Sequence, residues 1–398
     1  MKKPLVSAAV LGVALAACSS SNAPALSRQA FGALQESLPA AGAAYAPALT
    51  ETIVHSFAGG SGGENPHAEL LLSDGTLYGT AQNGGAGGYG LVYQIPKNGP
   101  FGIVYSFGGG ADGSNPVSAL SLLDGTLYGT TQYDGGGNVG TVFGVKKSGK
   151  ETVFHTFVGG QDGAVPSAGL TNLNGTFYGT TSLGGTSNRG TVYKISKTGD
   201  ETVIFNFSNG SGGSYPVAAL IGVSGKLYGT TSSGGAHDGG VAFSMTPSGA
   251  ETVLHAFGSG TDGSEPEAPL TDVNGTFFGT TYGGGANGDG TVFSLTTARK
   301  ERVLHSFGTG SDGSGPAAGL LAVGGTLYGT TYAGGSKKDG SVFNISTAGV
   351  ESVAYSFTGG SDGKGPLAGL TAVGSSLYGT TYGGGENAAG TVFALSSL

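Results

Sequence analysis

Residues 327–343 read LYGTTYAGGSKKDGSVF, and this stretch decides the fold. Leu327-Tyr328-Gly329-Thr330-Thr331 has the aromatic and β-branched density of a buried strand, a glycine-rich loop follows, and Ser341-Val342-Phe343 opens a second apolar run. From Glu51 onward the pattern recurs every fifty residues, in seven copies with no insertion or deletion. Phe57, Gly60, Gly63, Pro66, Leu70, Gly79, Thr80, Gly85 and Gly90 are kept in every copy. Recurring glycines mark positive φ or close backbone approach, the proline stiffens a crossover, and the large side chains fill space between sheets.

Each copy reads as four short strands. In the fifth these are Ala268 to Val273, Thr276 to Thr281, Thr291 to Thr296 and Arg302 to Phe307, and no segment has helical periodicity. Four strands per fifty residues is the content of a propeller blade, so the sequence predicts an all-β fold, a seven-bladed β-propeller with four antiparallel strands per blade. A β-solenoid would need shorter coils and distinct capping ends, which the seventh copy does not resemble. The repeats begin with a fourth-strand segment, Glu51 to Phe57, and stop after a third-strand segment, Gly390 to Leu398. The N-terminal strand is therefore expected to complete the last blade and clasp the ring. In such a meander the turns around Asn274-Gly275 and Lys300 lie on one face. The long crossovers (Ala58 to Pro66) and the loops between strands two and three (Gln82 to Gly90) lie on the other, the natural binding face.

Of 398 residues, 38% are hydrophobic and only 11% charged, which suits a buried core and not a solvated disordered chain. A net charge of −8 without a basic stripe excludes nucleic-acid partners, and a single cysteine excludes a disulfide framework or thiolate metal site within one chain. Lys2 and Lys3 precede an apolar run from Leu5 to Leu15, a secretory pattern, and Leu15-Ala16-Ala17-Cys18 resembles a bacterial lipobox. The expected organisation is a signal peptide over 1–17, a lipidated Cys18 with an Ala/Ser/Pro-rich tether to residue 50, and the propeller over 51–398. Ser19 and Ser20, with no acidic residue beside Cys18, point to the outer membrane of a Gram-negative envelope, the chain being a monomer held by its lipid.

The LYGTT-x-x-GG-x-x-x-x-GTVF core resembles the GloVer tandem repeat of bacterial "choice-of-anchor" proteins, over Glu51 to Leu398. The resemblance implies an exported protein held by an anchor and supplies no catalytic residues.

His55, His155, His255 and His305 share one column, but Tyr105, Phe205 and Tyr355 fill it elsewhere, so it reads as aromatic packing. The glutamates that open strand four (Glu51, Glu151, Glu201, Glu251, Glu301, Glu351) read as charges blunting an exposed edge at the outer hairpin. Asp112, Asp162, Asp262, Asp312 and Asp362, each before a glycine, read as turn residues. They are also weak Ca²⁺ candidates, with one acidic donor per loop and Gly62 and Gly212 replacing it in two copies. The clearest break in symmetry is Tyr282, Tyr332 and Tyr382, in a column that otherwise holds Gln82, Gln132, Ser182 and Ser232. With Asn287, Asp289, Asp339, Glu386 and Asn387 nearby, these tyrosines form the expected ligand sector, against the plainer reading that they fill space between blades. The function expected is a non-catalytic binding propeller for a protein or polysaccharide, without a cofactor. The alternatives are a carbohydrate-active lyase or hydrolase using acids such as Asp272 and Asp289, and a purely structural envelope protein.

Overall fold

The LYGTT motif acquires a separate physical meaning at each residue in the computed structural model, which describes residues 49–135 and 138–396. At Gly279 a Cβ would stand 2.6 Å from the Phe293 ring, so the glycine is required by the aromatic side chain of the next strand. Thr280 donates its hydroxyl to the Ala318 carbonyl of the following blade at 3.1 Å, and the equivalent bond recurs from Thr80, Thr130, Thr180, Thr230 and Thr330. Thr281 turns the other way, meeting the Thr291 hydroxyl at 2.9 Å and accepting the Thr291 N–H at 3.1 Å. One motif thus joins a strand to the next strand of its blade and to the next blade.

Each blade is built on an antiparallel four-stranded sheet, to which Glu64–Pro66 adds a fifth strand in the first. In the fifth blade the strands are Thr271–Val273, Thr276–Thr281, Thr291–Thr296 and Glu301–Ser306, hydrogen-bonded in that order. The innermost ladder is shorter than expected: Ala268 and Leu270 are buried but precede the pairing, because the chain there runs along the channel wall instead of beside strand two. Seven such sheets make the propeller, and seven clusters such as Tyr228, Phe257, Leu270, Phe277 and Phe293 fill the spaces between them. The ring closes as the repeat frame predicts. Thr50–Ser56 pairs antiparallel with Thr391–Ser396, from Thr50 opposite Ser396 to Ser56 opposite Thr391. Cys18 and the rest of residues 1–48, with the signal peptide and most of the tether expected there, lie outside the described residues.

Every blade meets the next through one further contact. The glycine before strand three has φ near +100° and lies under the next blade's proline: a Cβ at Gly340 would be 2.6 Å from Pro366 Cδ, and one at Gly390 2.6 Å from Pro66 Cδ. The second of these is the closing junction, which Thr371 also bridges by donating to the Leu70 carbonyl at 2.6 Å.

The glutamate column is not at a free edge. The outer strands lean so far that the hairpin between strands three and four rests on the preceding blade, where a Cβ at Gly349 would lie 2.8 Å from the Leu304 carbonyl oxygen. Strong twist across a blade is the cause. Each glutamate is half-buried, and Oε1 of Glu51, Glu151, Glu201, Glu251, Glu301 and Glu351 is buried with no hydrogen-bond partner. Burial, then the charge of Asp362 or Asp112 in the preceding crossover, pushes Glu51 and Glu151 up from 4.5 to about 7. The lysine ion pairs of the described residues, Lys147–Asp74 and Lys197–Asp124, lie elsewhere.

Two outcomes follow. The folded state holds the Glu51 and Glu151 protons more tightly than the unfolded chain, so their stabilisation is complete below about pH 4.5 and is lost as pH rises through about 7. The Tm should fall between pH 5 and 8, and the Glu51→Gln/Glu151→Gln protein should show a shallower fall; an unchanged slope would refute the assignment. Gly279→Ala should cost roughly 1–3 kcal/mol by overpacking against Phe293, read from denaturant midpoints.

Candidate functional site

On the long-loop face the crossover and the loop after strand two are laced into a short ribbon within each blade, as in Gly263–Ser264 with Gly283–Gly284 and Gly313–Ser314 with Ala333–Gly334. The lacing holds the tyrosine column in place, since it starts where strand two ends. Tyr282 N–H donates to the Glu265 carbonyl at 2.9 Å, and Tyr332 and Tyr382 donate to Gly315 and Gly365 at 3.1 Å. The rings then reach over the next blade: a Cβ at Gly315 would be 2.9 Å from the Tyr282 ring, and one at Gly365 3.0 Å from the Tyr332 ring. Other blades carry larger residues at that position, Asn115, Val165 and Tyr215 among them. Interblade filling is therefore part of what the tyrosines do.

Tyr282 and Tyr332 are nevertheless exposed, at 36% and 41%, Tyr382 is partly buried, and the three wall two neighbouring concavities. The first, about 420 Å³, lies between Tyr282 and Tyr332 and is lined by Ser264, Glu265, Asp289 and Ser314. Its lining charges are acidic, and Asp289 is fixed by the Ser314 hydroxyl at 2.7 Å. Burial, then the charges of Glu267, Tyr332 and Glu265, raises the Tyr282 phenol above its ordinary value and keeps it a hydrogen-bond donor. The second, about 240 Å³, lies between Tyr332 and Tyr382 and is lined by Lys338, Asp339 and Lys364. Tyr332 belongs to both. The two are chemically unlike, one acidic and the other of mixed charge.

The structure thus gathers Tyr282, Tyr332, Tyr382, Asp289 and Asp339, and separates the other expected members. Asn287 donates to the Phe307 carbonyl at 2.9 Å and Asn387 to that of Phe57 at 3.2 Å, so both amides tie a loop to the end of their own blade's outer strand. Glu386 is exposed beyond them and receives only a backbone anchor, its N–H bonding Ser56 Oγ at 2.9 Å. Asp272 caps the turn at Gly275 at 2.9 Å, at the opposite end of the blade from Asp289, so the pair needed for acid–base chemistry does not form.

Sequence reading missed the channel mouth. Position 67 and its equivalents line it, and while four carry Val117, Val217, Ala317 and Leu367, three carry His67, Ser167 and Glu267. Tyr382 meets His67 edge-on at 6.3 Å, joining the tyrosine sector to the channel. Burial holds His67 low, partly offset by the Val117 carbonyl, and Glu69 below it, enclosed by the wall but open to the lumen, is pushed up to about 7 by burial. The signal available was this column's mixture of apolar and titratable residues.

The Asp candidates for Ca²⁺ are primarily turn residues. Asp162 accepts Val158 N–H at 2.7 Å, Asp312 the N–H groups of Gly308 and Thr309, and Asp362 that of Thr358 at 2.8 Å. They also hold the aromatic column: Tyr105 bonds Asp112 at 2.8 Å, Tyr355 bonds Asp362 at 3.0 Å, and His155, His255 and His305 bond Asp162, Asp262 and Asp312 at 3.1, 2.9 and 3.2 Å. The histidine column is packing with a polar edge: where the aspartate is Gly212 the ring is Phe205, and where it is Gly62, His55 stacks on Phe101 at 3.9 Å.

A model of the Gloeobacter/Verrucomicrobia repeat matches residues 40–242 and 218–397. No curated protein matches the sequence. Among solved structures, a gluconolactonase from Xanthomonas campestris is 12% identical over 65% of this chain and 82% of its own, with a TM-score of 0.41. A europium-containing methanol dehydrogenase is 10% identical over 87% and 93%, with a TM-score of 0.49. The endosialidase of phage phi92 is 10% identical over 88% and 69%, with a TM-score of 0.44.

Proposed function

The chain belongs to the Gloeobacter/Verrucomicrobia repeat family, and on that footing we propose that it is a lipid-anchored, non-catalytic binding propeller of the cell envelope. Its partner is a polysaccharide or protein segment lying across the two tyrosine-walled concavities. The observation that carries this reading is the row of three tyrosines in adjacent blades, of which Tyr282 and Tyr332 pack on the next blade's glycine and keep an exposed face, while Tyr382 meets His67 edge-on. A ring held by packing on one side presents a flat apolar surface at little cost in side-chain entropy, while Asp289, Lys338 and Lys364 beside it supply hydrogen bonds and charge. Neighbouring concavities of unlike charge suit a polymer with alternating features. The lipid on Cys18 and the tether to residue 50 hold this face off the outer membrane as a monomer.

Binding is tested with the soluble Cys18→Ser protein on a glycan array and, in parallel, by capture of envelope proteins. A ligand of the tyrosine sector should lose at least tenfold in affinity with Tyr332→Ala, whose ring serves both concavities. Retained affinity would move the site elsewhere, and turnover of a bound glycan would overturn the non-catalytic reading. For the anchor, Cys18→Ser should abolish acyl labelling and membrane retention while the domain keeps its melting curve. Continued labelling would refute the lipobox.

A further inference from the structure

Three residues from two adjacent blades converge at most junctions on the outer rim: the aromatic of one outer strand, the aspartate of the crossover that follows it, and the glutamate opening the next outer strand. In two places they bring together an imidazole and two carboxylates. His155, Asp162 and Glu201 meet between the second and third blades, and His255, Asp262 and Glu301 between the fourth and fifth. We propose that these two clusters are sites for a first-row divalent transition metal of the Zn²⁺ type, each joining a pair of blades. The proposal is independent of the tyrosine sector.

Geometry is the first support. In both groups one ligand atom from each residue lies within 4.8 Å of the others, and His Nε2 stands 3.1 Å from Asp162 Oδ1 and 2.9 Å from Asp262 Oδ2. Two ligands bound at about 2.1 Å to a tetrahedral ion are separated by roughly 3.4 Å, so small rotamer changes complete the shell. Oε1 of Glu201 and of Glu301 is buried without a hydrogen-bond partner, as it is in every glutamate of this column, and what sets these two junctions apart is the imidazole and the aspartate brought together beside it. A cation between the three side chains supplies the missing partner.

Donor chemistry selects the ion. One imidazole nitrogen with two carboxylates suits Zn²⁺ and its neighbours, whereas Ca²⁺ and Mg²⁺ take oxygen shells. Three protein ligands leave the fourth tetrahedral position to a water. The other junctions act as internal comparisons. Two carry Tyr105 and Tyr355 in place of histidine, one has Phe205 with Gly212, and the closing one has Gly62 with Phe101. At the remaining junction His305, Asp312 and Glu351 have the right types, but their donor atoms do not converge to the same limit.

The experiment uses the full-length Cys18→Ser protein without an affinity tag, stripped with chelator and titrated with Zn²⁺ by calorimetry, with metal content measured after gel filtration. Two equivalents per chain are expected, with a higher Tm in Zn²⁺ than in Ca²⁺. His155→Tyr and His255→Tyr should each remove one equivalent, and the double variant both, together with the Zn²⁺-dependent rise in Tm. These variants keep the fold, because Tyr105 and Tyr355 already make the same bond to aspartate in other blades. No binding at micromolar Zn²⁺, or a stoichiometry that the double variant leaves unchanged, would overturn the proposal.

Discussion

The contact on which the molecule depends is a glycine beneath a proline. Before strand three of each blade the chain turns through a glycine with φ between +93° and +101°, and the next blade's proline ring occupies the place a side chain would take. A residue with a Cβ would suffer both the left-handed backbone and the collision. Because the contact is made between blades, and recurs from Gly90 with Pro116 around to Gly390 with Pro66, it sets the step from one blade to the next. This is why the repeat tolerates no change of length. An extra residue between the glycine and the following proline would need absorbing within a crossover that is itself laced to the neighbouring loop.

The fixed step also shapes where specificity can reside. Loops held to constant length cannot grow lids or insert catalytic segments, so differences between blades are confined to side chains on an unchanging frame. The tyrosine column shows how such a difference is accommodated: Tyr282 and Tyr332 fit because the facing positions in the next blades are Gly315 and Gly365. A change in one blade is matched by a change in its neighbour. The same pairing governs the outer rim, where loss of the aspartate accompanies loss of the polar edge or a new stacking partner for the ring.

The fold was legible in the sequence because a period of fifty residues with invariant glycines leaves few alternatives, and the repeat frame alone placed Glu51 to Phe57 in the last blade. The tyrosine sector was legible as a departure from the repeat. What sequence could not yield was adjacency between columns of different copies. Glu201 lies thirty-nine positions after Asp162 and forty-six after His155, separations that no strand period relates, and only the lean of the outer strand brings them together. Reading each column alone assigned the three to packing, turn and edge. Reading them jointly would have helped, since Gly62 with Phe101 and Gly212 with Phe205 are paired losses. The channel mouth escaped for a related reason: His67 and Glu267 are two hundred residues apart and face each other only once the ring has closed.

The clasp has a consequence in time. Each of the first six blades draws its four strands from one unbroken stretch, as in Thr271 to Ser306, and can condense as a local meander, with short loops to close. The seventh cannot. Thr50–Ser56 must stay unpaired while the rest of the chain is made, on the order of tens of seconds at about 5–20 residues per second, until Thr391–Ser396 appears. For that interval the nascent protein is an open arc with two raw edges. The first of the propeller's strands to be synthesised is the last to find its partner, and Thr391–Ser396 decides whether the arc shuts.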